Sequence, residues 1–190
     1  MDTHPVRVVR ENIMRQVVKG ASPKFKFITR YKIQILSDFG GKIMPIFNTG
    51  EMFRSTGIII VTTNSFLTSD EKLVMGRGAA RQLKLKVPGI DRIFGKTIYE
   101  TCGHLGRYGL IFNGKYGAAQ VKCRFNEKAC LELIKCSMTM LSVMAINNRT
   151  NIFNINYPGI GNGGLKEDHV KPILAILPDN VHVWKKKEVW

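Results

Sequence analysis

Two apolar runs in this chain end in the same way, and that repetition restricts the fold more than any other feature. Ile58-Ile59-Ile60-Val61 leads through Thr62-Thr63-Asn64 and a polar loop to Val74-Met75-Gly76-Arg77-Gly78-Ala79-Ala80-Arg81-Gln82-Leu83. Thr150-Asn151-Ile152-Phe153-Asn154-Ile155-Asn156 leads to Tyr157-Pro158-Gly159-Ile160-Gly161-Asn162-Gly163-Gly164-Leu165, and then to Glu167-Asp168-His169-Val170. Short β-branched and aromatic runs read as buried strands. A strand feeding a glycine turn that opens a helix is one half of a parallel β–α unit, and two such units predict one crevice lined by two loops at the C-terminal ends of neighbouring strands. Glycines let main-chain N–H groups approach an anion closely, and a helix N-terminus adds positive partial charge, so a phosphorylated ligand is expected there. The plainer reading of either turn alone is a tight connection. Neither turn has the dinucleotide fingerprint, and neither ends in the Lys-Ser/Thr of a P-loop.

The other segments fit an alternating pattern. Gly78 to Lys86 reads as a helix closed by Pro88-Gly89. Thr97 to Thr101, Tyr108 to Phe112 and Gly117 to Lys122 read as short strands, the last ending at Lys122. Asn126 is the expected cap of a long amphipathic helix whose apolar stripe includes Ala129, Cys130, Leu133, Ile134, Met138 and Leu141. Glu167 starts a further helix, with acids at its positive end, and Val181 to Trp184 is the last strand. Near the start, Glu11 to Val18 reads as a short helix and Phe25 to Leu36 as a strand; Lys42 to Phe47 reads as another strand, which Pro45 demotes to an edge. Strands alternating with helices imply a mixed, largely parallel sheet covered on both faces, a three-layer α/β/α fold.

Composition limits the function classes. With 190 residues and 44% hydrophobic content, the chain is long enough for one domain with a real core, plus a terminal extension. We divide it into a basic N-terminal extension over 1–45 and a domain over 46–190. No apolar run reaches the ~20 residues of a membrane helix, so no membrane partner is expected. Cys102, Cys123, Cys130 and Cys136 lack metal-ligand or disulfide spacing, and His104, His169 and His182 are scattered, so neither a metal nor a cofactor is expected. The thiols read as those of a cytoplasmic protein. A formal net charge of +15 favours a polyanionic neighbour such as nucleic acid, against the plain alternative of solubility.

From about Gly50 to Trp184 the residues resemble a macro domain, the ADP-ribose-binding module. Gly50-Glu51-Met52 stands where that family has a Gly-Asp-hydrophobic element, Asn64 ends the first core strand, Met75-Gly76-Arg77-Gly78-Ala79 with Gln82 matches its Met-Gly-x-Gly-x-Ala loop, and Gly159 to Leu165 matches its Gly-x-Gly-Asn-Gly-Gly-Leu loop. Within the family, Gln120-Val121-Lys122-Cys123-Arg124-Phe125 followed by Leu131-Glu132-Leu133-Ile134 is most similar to antitoxin-type members that remove ADP-ribose from DNA bases, a branch linked to bacterial or phage defence. Glu51 replaces the usual Asp, the loop from Ser65 to Val74 is longer than usual, and the last loop lacks the Asp that partners a lysine in some relatives.

The resemblance implies binding of ADP-ribose or an ADP-ribosylated substrate by Glu51, Met52, Gly76, Arg77, Gly78, Ala79, Gln82, Gly159, Ile160, Gly161, Asn162, Gly163, Gly164 and Leu165. It implies catalytic roles for Lys122 and Asn64, with Lys115 as a rival lysine in the turn just upstream. Glycosidic cleavage passes through an oxocarbenium-like state, which Lys122 would serve by attacking the anomeric carbon or by protonating the leaving base. The alternatives stay open: Lys122 as an ordinary basic strand end, Asn64 as a turn residue, Glu51 as a solvated acid, and Phe125 and Tyr157 as packing rather than stacking rings. A hydrolase of ADP-ribose linkages and a binder without catalysis both fit.

Overall fold

The computed structural model describes residues 44–187. The helix expected at Glu11–Val18 and the strand at Phe25–Leu36 lie outside the described residues. The described chain forms one six-stranded sheet from β1 (Ile46–Thr49), β2 (Ile58–Thr63), β3 (Leu110–Asn113), β4 (Tyr116–Gln120), β5 (Phe153–Asn156) and β6 (Val181–Lys185), in the order β1-β6-β5-β2-β4-β3. All pairings are parallel except β3 with β4, which a short turn at Gly114-Lys115 makes antiparallel. Pro45 precedes an edge strand, as its missing N–H requires.

Among the described residues four α-helices cover the sheet: α1 (Gly78–Lys86), α2 (Ile90–Cys102), α3 (Leu131–Ile146) and α4 (Glu167–Leu174). Side-chain alternation along β2 divides the core. Ile60 joins Ile134, Met138, Leu141, Ile155, Val170 and Leu174 under α3 and α4. Ile59 and Val61 join Leu83, Ile90, Phe94 and Ile98 under α1 and α2. This is the expected three-layer arrangement.

Two expectations about local structure are corrected. Thr97–Thr101 is not a strand but the last turns of α2, because Ile90, Phe94 and Ile98 are buried at intervals of four residues. Gly89, at φ 84°, supplies the left-handed residue from which α2 starts. The long helix begins at Leu131, not at an Asn126 cap. The preceding backbone is already committed elsewhere, since Ala129 N–H donates to Gly163 O (2.8 Å) and Cys130 N–H to Val121 O (2.8 Å). Those two bonds tie the approach of α3 to the last glycine loop and to the end of β4.

Candidate functional site

β5 and β2 are adjacent and parallel, with Ile58 opposite Phe153 and Ile60 opposite Ile155, so the loops that follow them leave the same edge of the sheet. They meet there: a Cβ added to Gly78 would lie 3.4 Å from Asn162 Nδ2. Gly76 and Gly161 face open space, with nothing within 4 Å of an added Cβ. α1 starts directly from the first loop with no side-chain cap and no acid in its first turn. Its leading N–H groups therefore lack an intrahelical partner and present positive partial charge. The start of α4 is different, because Glu167 and Asp168 already occupy its first turn. The head of α1 is therefore the more open and more electropositive of the two.

The last loop is shaped by packing. Gly159 (φ 73°) has Ile134 Cδ1 at 2.7 Å and Leu165 Cδ1 at 2.9 Å from the place of a Cβ, so any side chain collides. Leu165 N–H closes back on Gly159 O (3.0 Å), and Gly164 N–H on Gly161 O (2.9 Å). Ile160 and Leu165 are half-buried against the core and anchor the loop, while Gly161 and Asn162 stay exposed.

Lys122 joins these loops from the other side of β2. β4 runs parallel to β2, with Gln120 opposite Thr63, and ends at Gln120, two residues earlier than expected. Lys122 thus emerges at the edge shared by both glycine loops. Its Nζ donates to Glu127 O (3.0 Å) and to Asn162 O (3.3 Å), the second inside the last loop. Burial, then the Arg77 guanidinium, push the Lys122 ammonium below the usual lysine range, against a smaller opposing effect of Glu127. The rival Lys115 lies in the β3–β4 turn, at the opposite edge of the sheet, with its ammonium 5.5 Å from the Tyr116 ring centroid.

The remaining expected residues divide into those at the crevice and those beneath it. Gly50 N–H donates to Lys185 O (2.9 Å), at the end of β6, so Glu51 lies at the same sheet edge and is exposed. Met52 is 5% exposed and packs in the core, and its carbonyl accepts from Ser55 Oγ (2.6 Å); it supports the turn from below. Arg77 is exposed at the head of α1, Ala79 is half-buried in its first turn, and Gln82 is half-buried one turn on.

Asn64 is used differently from the expectation. It is 6% exposed, its Nδ2 donates to Val74 O (2.8 Å), and its Oδ1 accepts from Phe66 N–H (2.8 Å). Its amide closes the long loop that delivers Met75–Ala79, a positioning role made necessary by the ten-position separation of Asn64 and Val74.

Sequence reasoning missed the buried polar knot under this edge. Gln120 is fully buried; its Oε1 accepts from Tyr108 N–H (2.8 Å), and its Nε2 donates to Gly106 O (2.9 Å) and Ser65 Oγ (3.1 Å). Tyr108 bonds Thr63 Oγ1 and donates to Asn64 O (3.1 Å), and burial pushes its hydroxyl pKa upward. These bonds fix the ends of β2 and β4, from which the first loop and Lys122 depart. A glutamine inside an otherwise apolar strand was the available signal. Lys128 was also missed; its stem lies along Gly164, with Cγ 3.5 Å from the place of a Cβ. Among the described residues no cluster of His, Cys, Asp and Glu could hold a metal ion.

No protein-family model and no curated protein matches this sequence. Solved structures do. The macrodomain of Thermus aquaticus DarG superposes with a TM-score of 0.58 at 22% identity, over 77% of this chain and 99% of that one. Thermosipho africanus DarTG in complex with ADP-ribose gives 0.60 at 16%, over 78% of this chain and 44% of that longer one. The macrodomain of Mycobacterium tuberculosis DarG gives 0.57 at 18%, over 77% and 100%. The sheet order, the two glycine loops on neighbouring parallel strands and these superpositions agree: the chain has the macro-domain fold.

Proposed function

We propose that this protein binds ADP-ribose in the crevice between the two glycine loops and releases it from a modified DNA base or protein. The observation that carries the reading is the convergence of Gly78, Asn162 and Lys122 at one sheet edge. The diphosphate would be met by the free N–H groups at the head of α1 and by the exposed backbone at Gly161–Asn162, with Arg77 and Lys122 supplying charge. Charge-assisted bonds of this kind are about twice as strong as neutral ones. The similarity to a DarTG protein solved with ADP-ribose supports the choice of ligand.

The Lys122 nitrogen donates to two carbonyls, and as an ammonium it keeps a third proton to give. In the proposed reaction this ammonium gives its proton to the leaving base or leaving oxygen as the bond to the anomeric carbon breaks. Water adds to that carbon, and its proton passes to the amine or to solvent. The lowered pKa suits a proton donor. Nucleophilic attack by Lys122 would first require loss of that proton.

Calorimetry with ADP-ribose, paired with a release assay on an ADP-ribosylated oligonucleotide and an ADP-ribosylated protein, tests the reading. Lys122→Ala is expected to retain ADP-ribose binding within a few-fold and to slow release by about 10²–10⁴-fold. Undiminished release by that variant removes Lys122 from the chemistry, and a wild-type protein that does not bind ADP-ribose refutes the whole reading. One observation favours a binder without catalysis: both Lys122 hydrogen bonds go to main-chain carbonyls and neither to a side chain able to serve as its base. Tight ADP-ribose binding with no release from either substrate is the outcome that reading predicts.

A further inference from the structure

The turn that holds Lys122 also lifts an aromatic ring into solvent. Lys122 Nζ donates to Glu127 O, and the Glu127 carboxylate accepts from Arg124 N–H (3.1 Å) and pairs with Arg124 Nε (3.6 Å). The segment 122–127 is thereby closed on itself, with Phe125 at its tip, 50% exposed. Phe125 meets Phe66 edge-on at 5.3 Å between centroids, and Phe66 meets His104 edge-on at 4.8 Å. Leu67 N–H donates to His104 Nδ1 (3.2 Å) and sets that ring's orientation. Beyond His104 lies an open cavity of about 340 Å³ walled by Tyr99, itself 53% exposed.

Neither core cluster contains Phe125, Phe66 or His104, so the row lies outside both cores. Holding Phe125 out of a core forgoes about 25 cal/mol for each Å² left in water. Its neighbours differ along its length. Arg124 and Lys122, against Glu127 alone, leave the Phe125 end net positive, whereas Glu71 lines the cavity at the other. Phosphates are attracted to the first end and repelled from the second, while an uncharged ring system is accepted along the row.

We propose that Phe125, Phe66 and His104 form a stacking platform for the unpaired bases of a single-stranded nucleic acid. Its backbone phosphates are held at the Arg124–Lys122 end, and one base reaches the cavity beside Tyr99. Bases present their faces only when unstacked, so the platform selects single strands over duplex. The inference rests on the proposed ADP-ribose reading only in that Lys122 is the reacting lysine there; the platform itself does not depend on it.

Fluorescence anisotropy with labelled, unmodified oligothymidine, as a single strand and in a duplex of equal length, tests the platform across a salt series. Single strands are expected to bind at least about ten-fold more tightly than duplex. Phe125→Ala should weaken single-strand binding by about 5- to 100-fold while leaving duplex binding and the salt slope unchanged. Phe125→Trp should restore it. Equal binding of single strand and duplex, or a Phe125→Ala variant as tight as the wild type, overturns the proposal in favour of charge alone. A Phe- and Pro-rich peptide binding more tightly than oligothymidine overturns it in favour of a protein partner. ADP-ribose calorimetry on the same samples separates the two readings: absent ADP-ribose binding contradicts the proposed function and leaves the platform result standing.

Discussion

The two glycine loops look alike as strings of residues and are built for opposite reasons. In the last loop, glycine is dictated from inside: Gly159 sits under Ile134 and Leu165, and a Cβ on Gly163 would come 3.1 Å from Ala129 Cβ. In the first loop, nothing in the protein crowds Gly76, and Gly78 has only the Asn162 amide nearby. A glycine that the protein's own packing does not require leaves room for something from outside. The comparison assigns the base of the last loop, Gly159 and Gly163, to the frame, and leaves the first loop, together with Gly161 at the tip of the last, open to the ligand.

Substitutions at matched positions break or sharpen this contrast. Gly159→Ala combines a left-handed backbone with two collisions, and is expected to destabilise the fold by about 3 kcal/mol. Chemical denaturation checks it; a loss below about 1 kcal/mol would mean that the last loop yields easily and is not the rigid wall. Gly76→Val should do the reverse. Denaturation is expected to shift by no more than about 0.5 kcal/mol, while ADP-ribose binding, read by calorimetry, weakens about ten-fold because the side chain fills the approach to the α1 N–H groups. Unchanged affinity would place the anion away from the first loop.

The smallest expected effect concerns what carries the first loop. Lys84 on α1 pairs with Asp91 on α2 at 2.8 Å, and the Asp91 side chain is 7% exposed. Burial raises the Asp91 pKa, but the Lys84 hydrogen bond and charge, with the Arg92 N–H bond, outweigh it and leave the carboxyl below its ordinary value. The sign follows: the ionised form is favoured in the fold, so its contribution is complete above the unfolded pKa of about 3.9 and is lost as pH falls through the lower folded value. Asp91→Asn should cost about 1 kcal/mol at pH 7, and the gap to the wild type should close in acid denaturation series taken below pH 4. A gap independent of pH would make Asp91 a matter of packing alone.

Much of this edge was legible in the residues because glycine turns and buried strand runs are local signals. Gly78–Lys86 was read to the residue, since Pro88-Gly89 marks its end and the first loop marks its start. The adjacency of β2 and β5 followed from both strands feeding a glycine turn that opens a helix, although β5 itself alternates apolar residues with asparagine. Thr97–Thr101 was misread because Ile98 and Tyr99 in a short window suit a strand as well as a helix; the deciding residues, Ile90 and Phe94, lie outside that window. The stretch from Ser65 to Val74 was read as polar, yet Leu67 and Leu73 are buried and pair with each other across the loop. Asn64 was given a catalytic role by the resemblance, with a turn residue as the alternative, because its role as a clamp depends on Val74, ten residues away. The Phe66–Phe125 pair joins residues nearly sixty positions apart, a separation at which periodicity says nothing.

The most direct test of two loops closing on one diphosphate is a ¹⁵N chemical-shift titration of the protein with ADP-ribose. The account predicts saturable shifts, with one common affinity, in the amides of Gly76, Gly78 and Ala79 and in those of Gly161, Asn162 and Gly163. Shifts confined to one loop, or found only at residues away from this sheet edge, would contradict it.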